Sequence, residues 1–162
     1  MYLVMEAADL NMITLQEASI KKRSPIDFTK ATFSEQEKFI ISKEVELIKD
    51  KYPNYVPILV RTRGDLKISK VKFLVGGEIT VGQFMFILRK KMNSLRSTEG
   101  LFLFINNTLP VSSRNLLSIY NEQKDKELNM LIITVCKENT FGAGLGFSKS
   151  HWDLLQLIHK VN

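Results

Sequence analysis

The sequence lacks cysteine pairs, long apolar runs and a basic N-terminal flank, and each absence excludes a class of protein. It holds a single cysteine in 162 residues, which excludes a disulfide framework and a zinc site built from several cysteines, and which fits a reducing compartment. No apolar run approaches the length of about 18 residues that a membrane-spanning helix needs. The first residues carry an acidic side chain at Glu6 and no basic flank, so they do not resemble a secretory signal.

Side chains arranged for catalysis or metal binding are also missing from the sequence. It has no glycine-rich phosphate loop, no nucleophile elbow and no paired carboxylates. The two histidines, His151 and His159, stand eight apart, which is not a recognisable ligand spacing. Cys136 lies in an apolar run without a neighbouring histidine, as a buried and inert thiol would. The sequence therefore predicts that the protein is not an enzyme and needs no metal or cofactor.

The composition is that of a globular domain with a basic surface. Apolar residues make up 44% of the chain and charged residues 25%, enough for one domain with its own core. The 23 basic and 17 acidic residues give a net charge of +6. Such a charge favours acidic partners, including phosphates and anionic lipids, without choosing among them.

Two helices are predicted from their capping residues. Ser34 and Glu37 have the spacing of a capping box, and an apolar stripe at Ile41, Val45 and Ile48 follows until Pro53 ends the helix. Thr80 and Gln83 have the same spacing at the start of a second helix. Its predicted buried side carries Val81, Phe84, Leu88 and Met92, and three basic residues occupy its last turn.

Four strands are predicted from alternating or continuous apolar runs. They are YVPILVR (55–61), VKFLV (71–75), LFLFI (101–105) and Leu128 to Cys136. A short helical turn at 115–120 separates the last two. Two hairpin-like pairs of strands around one main helix predict an α+β fold, the ubiquitin-like β-grasp with a four-stranded mixed sheet, preceded by one or more added N-terminal helices.

The ends of the chain differ in character from this domain. Residues 1–33 form an N-terminal extension that we expect to be partly helical or disordered, with a break at Ser24-Pro25. The domain itself then spans 34–142, and 143–162 is a C-terminal tail.

One face of the first strand points to a binding function. Pro57 and Leu59 lie on the face that the main helix cannot reach, so the helix that begins after Ser34 must cover them. A crevice between an added helix and a sheet can accept an extended peptide as an additional strand.

Several sequence blocks, in order, resemble the autophagy-related ubiquitin-like modifiers, the GABARAP-like family of the autophagy-related protein eight type. The resemblance covers roughly two thirds of the chain, from about Phe39 to Gly142. The blocks that carry it are KYPNYVPILV, KFLVGGEITVGQFMFILRKKM, LFLFINNTLP, SIYNEQKDKE and ENTFG.

The resemblance implies a ubiquitin-like modifier of autophagy. A cysteine protease would cut after Gly142, with Phe141 as the recognition anchor, and E1-like and E2-like enzymes would carry the glycine carboxylate as a thioester. The carboxylate would finally form an amide with phosphatidylethanolamine. The protein would be cytoplasmic, and on the autophagosomal membrane once lipidated.

The resemblance also implies binding of aromatic-x-x-aliphatic motifs in cargo receptors and adaptors. The implied aromatic pocket consists of Glu44, Ile48, Pro57, Leu59, Lys72, Leu74 and Met130. The implied aliphatic pocket consists of Phe73, Val75, Ile79, Phe84 and Ile87. Lys70 and Arg89 would form a basic rim for acidic residues of the ligand. Leu59, Lys72 and Leu74 are expected to line an exposed groove, since a lysine alternating with leucine does not suit a sealed core.

Alternatives to this interpretation stay open at the level of sequence. The protein is alternatively a non-conjugated ubiquitin-like interaction module whose tail is retained, or a basic module that binds microtubules or nucleic acid through charge alone. The tail contains Trp152-Asp153-Leu154-Leu155, which itself fits aromatic-x-x-aliphatic. It is a hypothesis that this segment occupies the groove until cleavage. A disposable propeptide is the simpler interpretation.

Overall fold

The computed structural model describes residues 2–6, 9–13, 26–92 and 94–138. In chain order its elements are β1 (Leu3–Glu6), β2 (Asp9–Ile13), α1 (Glu35–Lys51), β3 (Tyr55–Thr62), β4 (Lys72–Gly76), α2 (Val81–Lys91), β5 (Leu101–Phe104), α3 (Leu116–Gln123) and β6 (Leu131–Lys137). Among the described residues, no helix has the length and apolar character needed to cross a bilayer.

The strands form one mixed sheet in the order β2-β1-β4-β3-β6-β5. β3 pairs antiparallel with β4, β5 pairs antiparallel with β6, and the two antiparallel pairs join through parallel pairing of β3 with β6. These four strands with α2 are the predicted β-grasp, which is confirmed.

Both predicted capping boxes are present. The Ser34 hydroxyl accepts the Glu37 amide at 3.2 Å, and the Glu37 carboxylate accepts the Ser34 amide at 2.9 Å. Thr80 and Gln83 make the same reciprocal pair at 3.2 and 3.0 Å. Because each box satisfies two backbone donors that the helix leaves open, it defines where the helix begins.

The two faces of the sheet are covered by different helices. Val56, Ile58 and Val60 of β3 belong to the main core, together with Phe84 and Leu88 of α2. Leu59, between them in sequence, packs instead with Ile41 and Val45 of α1. The predicted alternation of β3 is therefore correct, and α1 covers the face that α2 cannot reach.

The described part of the N-terminal extension, residues 2–6, 9–13 and 26–33, differs from the expectation of a partly helical or disordered segment, because it contains two strands. Leu3–Glu6 and Asp9–Ile13 are strands, paired antiparallel with each other, and β1 also pairs parallel with β4. The outer edge of β4 offers unpaired backbone groups, and a short apolar segment satisfies them by adding to the sheet. This edge exists only in the folded domain, so local sequence patterns do not predict the pairing.

Gly77 is predicted to be a position where any side chain destabilises the fold. Its amide donates to the Asn54 carbonyl at 2.8 Å, and its carbonyl accepts the Leu117 amide at 3.0 Å. A Cβ atom at Gly77 would lie 2.6 Å from the Asn54 carbonyl oxygen and 2.7 Å from the Leu117 Cβ. Because one of these neighbours is backbone, Gly77→Ala is expected to lower the free energy of unfolding by about 1–3 kcal/mol in urea denaturation.

Gly82→Ala provides the matched control. Its added Cβ would meet Ser112 at 3.4 Å or more, an ordinary contact, and Gly82 lies in α2, where alanine is favoured over glycine. We expect Gly82→Ala to leave stability unchanged or slightly raised. Equal losses in the two variants would contradict the close approach at Gly77.

Candidate functional site

The residues of the implied aromatic pocket meet between α1 and the sheet. Leu59 of β3 and Met130, just before β6, are fully buried against Ile41 and Val45 of α1. Pro57 is buried and faces Leu74 across the β3–β4 pair, while Glu44 and Ile48 lie half-buried on α1. The structure thus brings these residues onto the side of the sheet that α1 covers.

Lys72 is the polar centre of this region. Its ammonium lies 4.2 Å from the centroid of the Phe28 ring, 4.7 Å from the centroid of the Tyr2 ring and 3.9 Å from a Glu44 carboxylate oxygen. Only 13% of the Lys72 side chain is exposed. A cation between two aromatic faces is stabilised by their quadrupoles, typically by about 0.5–2 kcal/mol per ring, with more when water is excluded.

The expectation of an exposed groove at Leu59, Lys72 and Leu74 is wrong for the protein in this conformation. Leu59 and Leu74 are 0% and 3% exposed. Two features of the fold cover this region, and neither was predicted from the sequence. The Phe28 ring packs into the cluster under α1, and the strand pairing of β1 occupies the edge of β4.

The residues of the implied aliphatic pocket lie in the main core. They are Phe73, Val75, Ile79, Phe84 and Ile87, and none is more than 4% exposed. The Phe73 and Phe84 rings meet edge to face with centroids 5.7 Å apart. Each of these five residues therefore stabilises the fold of the domain, independently of any role in ligand binding.

The two residues of the implied basic rim have different surroundings. Lys70 is exposed just before β4. The Arg89 guanidinium instead donates to the carbonyls of Glu99, Ser97 and Arg96 at 2.8, 3.3 and 3.5 Å. Arg89 thus holds the turn before β5 through three hydrogen bonds to its carbonyl groups.

The outer edge of β4 accepts a parallel strand. Leu3, Val4 and Met5 of β1 stand opposite Phe73, Leu74 and Val75. Addition of a strand to an exposed edge is a recurring mode of peptide recognition, because main-chain hydrogen bonds supply affinity and alternate side chains reach different pockets.

Tyr2 and Phe28 are the site residues that sequence reasoning missed. Tyr2 packs against the cluster that contains Leu59 and Met130, and burial together with the Glu44 carboxylate holds the pKa of its phenol well above the usual range. The sequence does contain a signal for Tyr2. Tyr2-Leu3-Val4-Met5 has an aromatic residue followed three positions later by an apolar one, the same spacing as in the tail segment Trp152–Leu155. No comparable pattern marks Phe28.

Some predicted features fall outside the described residues or are not seen within them. Phe141, Gly142 and the Trp152–Leu155 segment lie outside the described residues. Within the described ranges, no group of three or more His, Cys, Asp or Glu side chains is placed to hold a metal ion. Cys136 is buried, and burial raises the pKa of its thiol.

Comparison with known proteins identifies the family. The family model described as "Autophagy protein Atg8 ubiquitin like" matches residues 41–142. Autophagy-related protein 8 of Saccharomyces cerevisiae (strain YJM789) is 38% identical over 117 residues, covering 70% of this chain and 98% of its own. Autophagy-related protein 8c of Arabidopsis thaliana is 39% identical over 102 residues, covering 61% of this chain and 84% of its own.

Solved structures agree with the sequence comparisons. The crystal structure of Trypanosoma brucei ATG8 has 27% identity and a TM-score of 0.58, and it covers 67% of this chain and 92% of its own. Plasmodium falciparum Atg8, in complex with a Plasmodium falciparum Atg3 peptide, has 29% identity and a TM-score of 0.54, with 64% and 89% coverage. The chain therefore belongs to the Atg8 family of autophagy proteins, which are ubiquitin-like modifiers and adaptors and not enzymes.

Proposed function

We propose that this Atg8-family protein is processed after Gly142, conjugated to phosphatidylethanolamine, and recruits partners through aromatic-x-x-aliphatic motifs that add as a strand to β4. The observation that carries the recruiting function is the edge of β4, which accepts a parallel strand directly beside Lys72 and the cluster under α1. The lipid function rests on membership of the family.

The geometry of the β4 edge explains why an aromatic and an aliphatic residue three positions apart suit it. Successive residues of a strand point to opposite faces of the sheet, so residues three apart lie on opposite faces. A ligand aromatic beside Lys72 lies on the face covered by α1. The aliphatic residue three positions later lies opposite Val75, on the face covered by α2.

The two proposed pockets consist of the residues given above. The aliphatic-pocket residues also form part of the core, and Arg89 is assigned to a turn and not to the rim. Glu44, Lys72 and Met130 surround the place of the ligand aromatic, with Leu59 as its floor. The aliphatic-pocket residues belong to the main core, so a substitution at any of them is expected to change folding as well as binding. Lys70 is the rim cation for acidic ligand residues, whereas Arg89 is held by the turn before β5.

Conjugation through Gly142 fits the end of the domain. The last strand ends at Lys137, and the match to the family model ends at residue 142. A glycine carboxylate has no side chain to exclude it from a narrow protease or ligase cleft. One phospholipid supplies two acyl chains, which is enough to hold a domain on a bilayer.

The partners of the proposed cycle follow from the same steps. They are an autophagy cysteine protease, E1-like and E2-like enzymes, motif-bearing cargo receptors and adaptors, and membranes containing phosphatidylethanolamine. The Plasmodium relative solved with an Atg3 peptide shows that a related domain binds a peptide. The proposed locations are the cytoplasm and, after lipidation, the autophagosomal membrane.

Binding of a motif peptide tests the recruiting function. We expect a fluorescent peptide with a Trp-x-x-Leu core and preceding acidic residues to bind saturably in an anisotropy titration. Lys72→Ala is expected to weaken binding by about tenfold or more when both proteins compared also carry Tyr2→Ala, so that the Tyr2 ring does not compete for Lys72. The reason is that the ligand aromatic loses its cation and the buried lysine stem. Lys90→Ala, on the outer side of α2 above the exposed Phe86, is the matched control and should bind normally.

Equal losses in the two lysine variants would contradict the groove. Together with a steep loss of binding in salt, that result would favour the rival of a basic module that binds through net charge.

A further inference from the structure

The proposed binding groove is occupied by the chain's own N-terminus. β1 lies along the edge of β4 in parallel, with Leu3 opposite Phe73 and Met5 opposite Val75. This is the orientation and the edge that the proposed ligand strand uses. The occupied edge is therefore not available to a second strand.

Tyr2, the residue before β1, sits where the aromatic residue of a ligand is proposed to sit. Its ring centroid is 4.7 Å from the Lys72 ammonium, and the ring packs against the cluster formed by Phe28, Ile41, Val45, Leu59, Leu128 and Met130. Burial of the phenol raises its pKa, as expected for a group withdrawn from water.

The sequence of this segment has the form that the groove is proposed to recognise. Tyr2 is aromatic, and Met5, three positions later, has an unbranched apolar thioether side chain that can fill an aliphatic pocket; Glu6 follows as an acidic neighbour. The pattern alone is degenerate. The strand register is an independent observation, and it places this pattern at the corresponding positions of β4.

We propose that Tyr2–Glu6 is an intramolecular ligand that closes the motif groove and that motif-bearing partners must displace. This inference rests on the proposed recruiting function. Because the strand belongs to the same chain as the domain, its binding is intramolecular, and an external peptide competes with it whatever the protein concentration. The apparent affinity for an external peptide then falls in proportion to the fraction of molecules in which the groove is open.

The Tyr2 hydroxyl limits how strongly the N-terminal strand holds the groove closed. The Tyr2 hydroxyl is buried, and it has no hydrogen-bond partner among the described residues. A buried hydroxyl without a partner weakens the contact that it accompanies. An external aromatic residue that fills the same space without an unpaired hydroxyl would bind with an advantage over Tyr2.

Substitutions at Tyr2 test this proposal in the full chain. In the anisotropy titration with the Trp-x-x-Leu peptide, Tyr2→Ala is expected to bind at least about tenfold more tightly than the wild type, because the closed state loses its aromatic anchor. Tyr2→Phe is expected to bind more weakly than the wild type, since it keeps the ring and removes the unpaired hydroxyl. Phe39→Ala, an exposed aromatic residue on α1, is the control and should match the wild type.

Hydrogen exchange provides a readout that needs no external peptide. The amides of β4 that face β1 are expected to exchange at least about tenfold faster in Tyr2→Ala than in the wild type, and slower in Tyr2→Phe. The amides of β6 should exchange equally in all variants, which would show that the domain is intact.

The outcomes separate this proposal from the recruiting function on which it rests. Peptide binding that is equal in all Tyr2 variants, with unchanged exchange at β4, would overturn the intramolecular ligand and leave the groove in place. Faster exchange at β4 in Tyr2→Ala, with no peptide binding in any variant, would overturn the recruiting function while β1 remains the strand that covers this edge. A wild-type dimer that Tyr2→Ala converts to monomer would overturn the intramolecular proposal in favour of exchange of the strand between two copies.

Discussion

Replacing Phe84 by alanine is expected to lower the free energy of unfolding by about 3–5 kcal/mol, a large part of the stability of a domain of this size. Phe84 is fully buried in the main core, and its ring meets Phe73 edge to face. Truncation removes this contact and leaves a cavity that the close-packed surroundings fill only in part. Urea denaturation followed by circular dichroism measures the loss.

Phe86 is the matched control on the same helix. Two residues further along α2, its side chain is 54% exposed, and the Lys90 ammonium stands over its ring. We expect Phe86→Ala to change stability by no more than about 0.5 kcal/mol. If Phe84→Ala were as stable as Phe86→Ala, Phe84 would line an open pocket and not the core.

The contrast matters for any study of binding at the aliphatic pocket. Phe73, Val75 and Phe84 belong to the same packed cluster, so substitution at any of them changes folding and binding together. Lys72 and Tyr2 are better probes of the groove, because they lie on the face under α1, where β1 meets β4.

Replacing Gly142 by alanine is expected to abolish both removal of the tail and formation of the lipid conjugate. The reaction mixture would contain the full chain, the autophagy protease, the E1-like and E2-like enzymes, ATP and vesicles containing phosphatidylethanolamine. The reason is that the proposed protease and ligase clefts approach the backbone closely at Gly142, where an added Cβ would clash. The conjugate is measured as a species with the added mass of one phospholipid.

Gly144→Ala is the control for this experiment, since it alters a glycine two residues beyond the proposed cleavage point. We expect it to be processed and conjugated like the wild type. Conjugation of the Gly142→Ala chain, or its loss in Gly144→Ala alone, would place the reacting carboxylate elsewhere.

Much of the fold could be predicted from the sequence because its signals are local. The pairs Ser34–Glu37 and Thr80–Gln83 satisfy helix-end donors within four residues, so sequence spacing alone identifies where each helix begins. The alternation of β3 is likewise written in consecutive residues, and the structure divides Ile58 and Leu59 between the two cores as that alternation requires.

The parts that escaped prediction depend on contacts between distant segments. β1 is a strand because the edge of β4 is open to it, and nothing in residues 3–6 alone distinguishes that outcome from a partly helical or disordered segment. Leu59 and Leu74 are buried because other segments cover them. Arg89 is held by carbonyl groups of a turn that begins seven residues later, which its position in a basic run does not reveal.

For the candidate site, the sequence predicted which residues lie near one another, whereas their role in ligand binding stays a prediction. Glu44, Lys72, Leu59 and Met130 lie close together because α1, the β3–β4 pair and the residue before β6 are brought to one side of the sheet by the fold. That the chain itself fills this place was not foreseen, although the same aromatic-x-x-aliphatic pattern was recognised at Trp152–Leu155. A pattern this short gains meaning only when the structure supplies a register for it, as it does for Tyr2–Met5.

The intact mass of the full chain after incubation with the autophagy protease tests the central claim, that this protein is a precursor of a conjugated modifier, most directly. The account predicts loss of the mass of residues 143–162, leaving a product that ends at Gly142. An unchanged mass, with the protease active on another substrate of the same family, would contradict it. The protein would then be a groove-binding interaction module that keeps its tail and never enters the conjugation pathway.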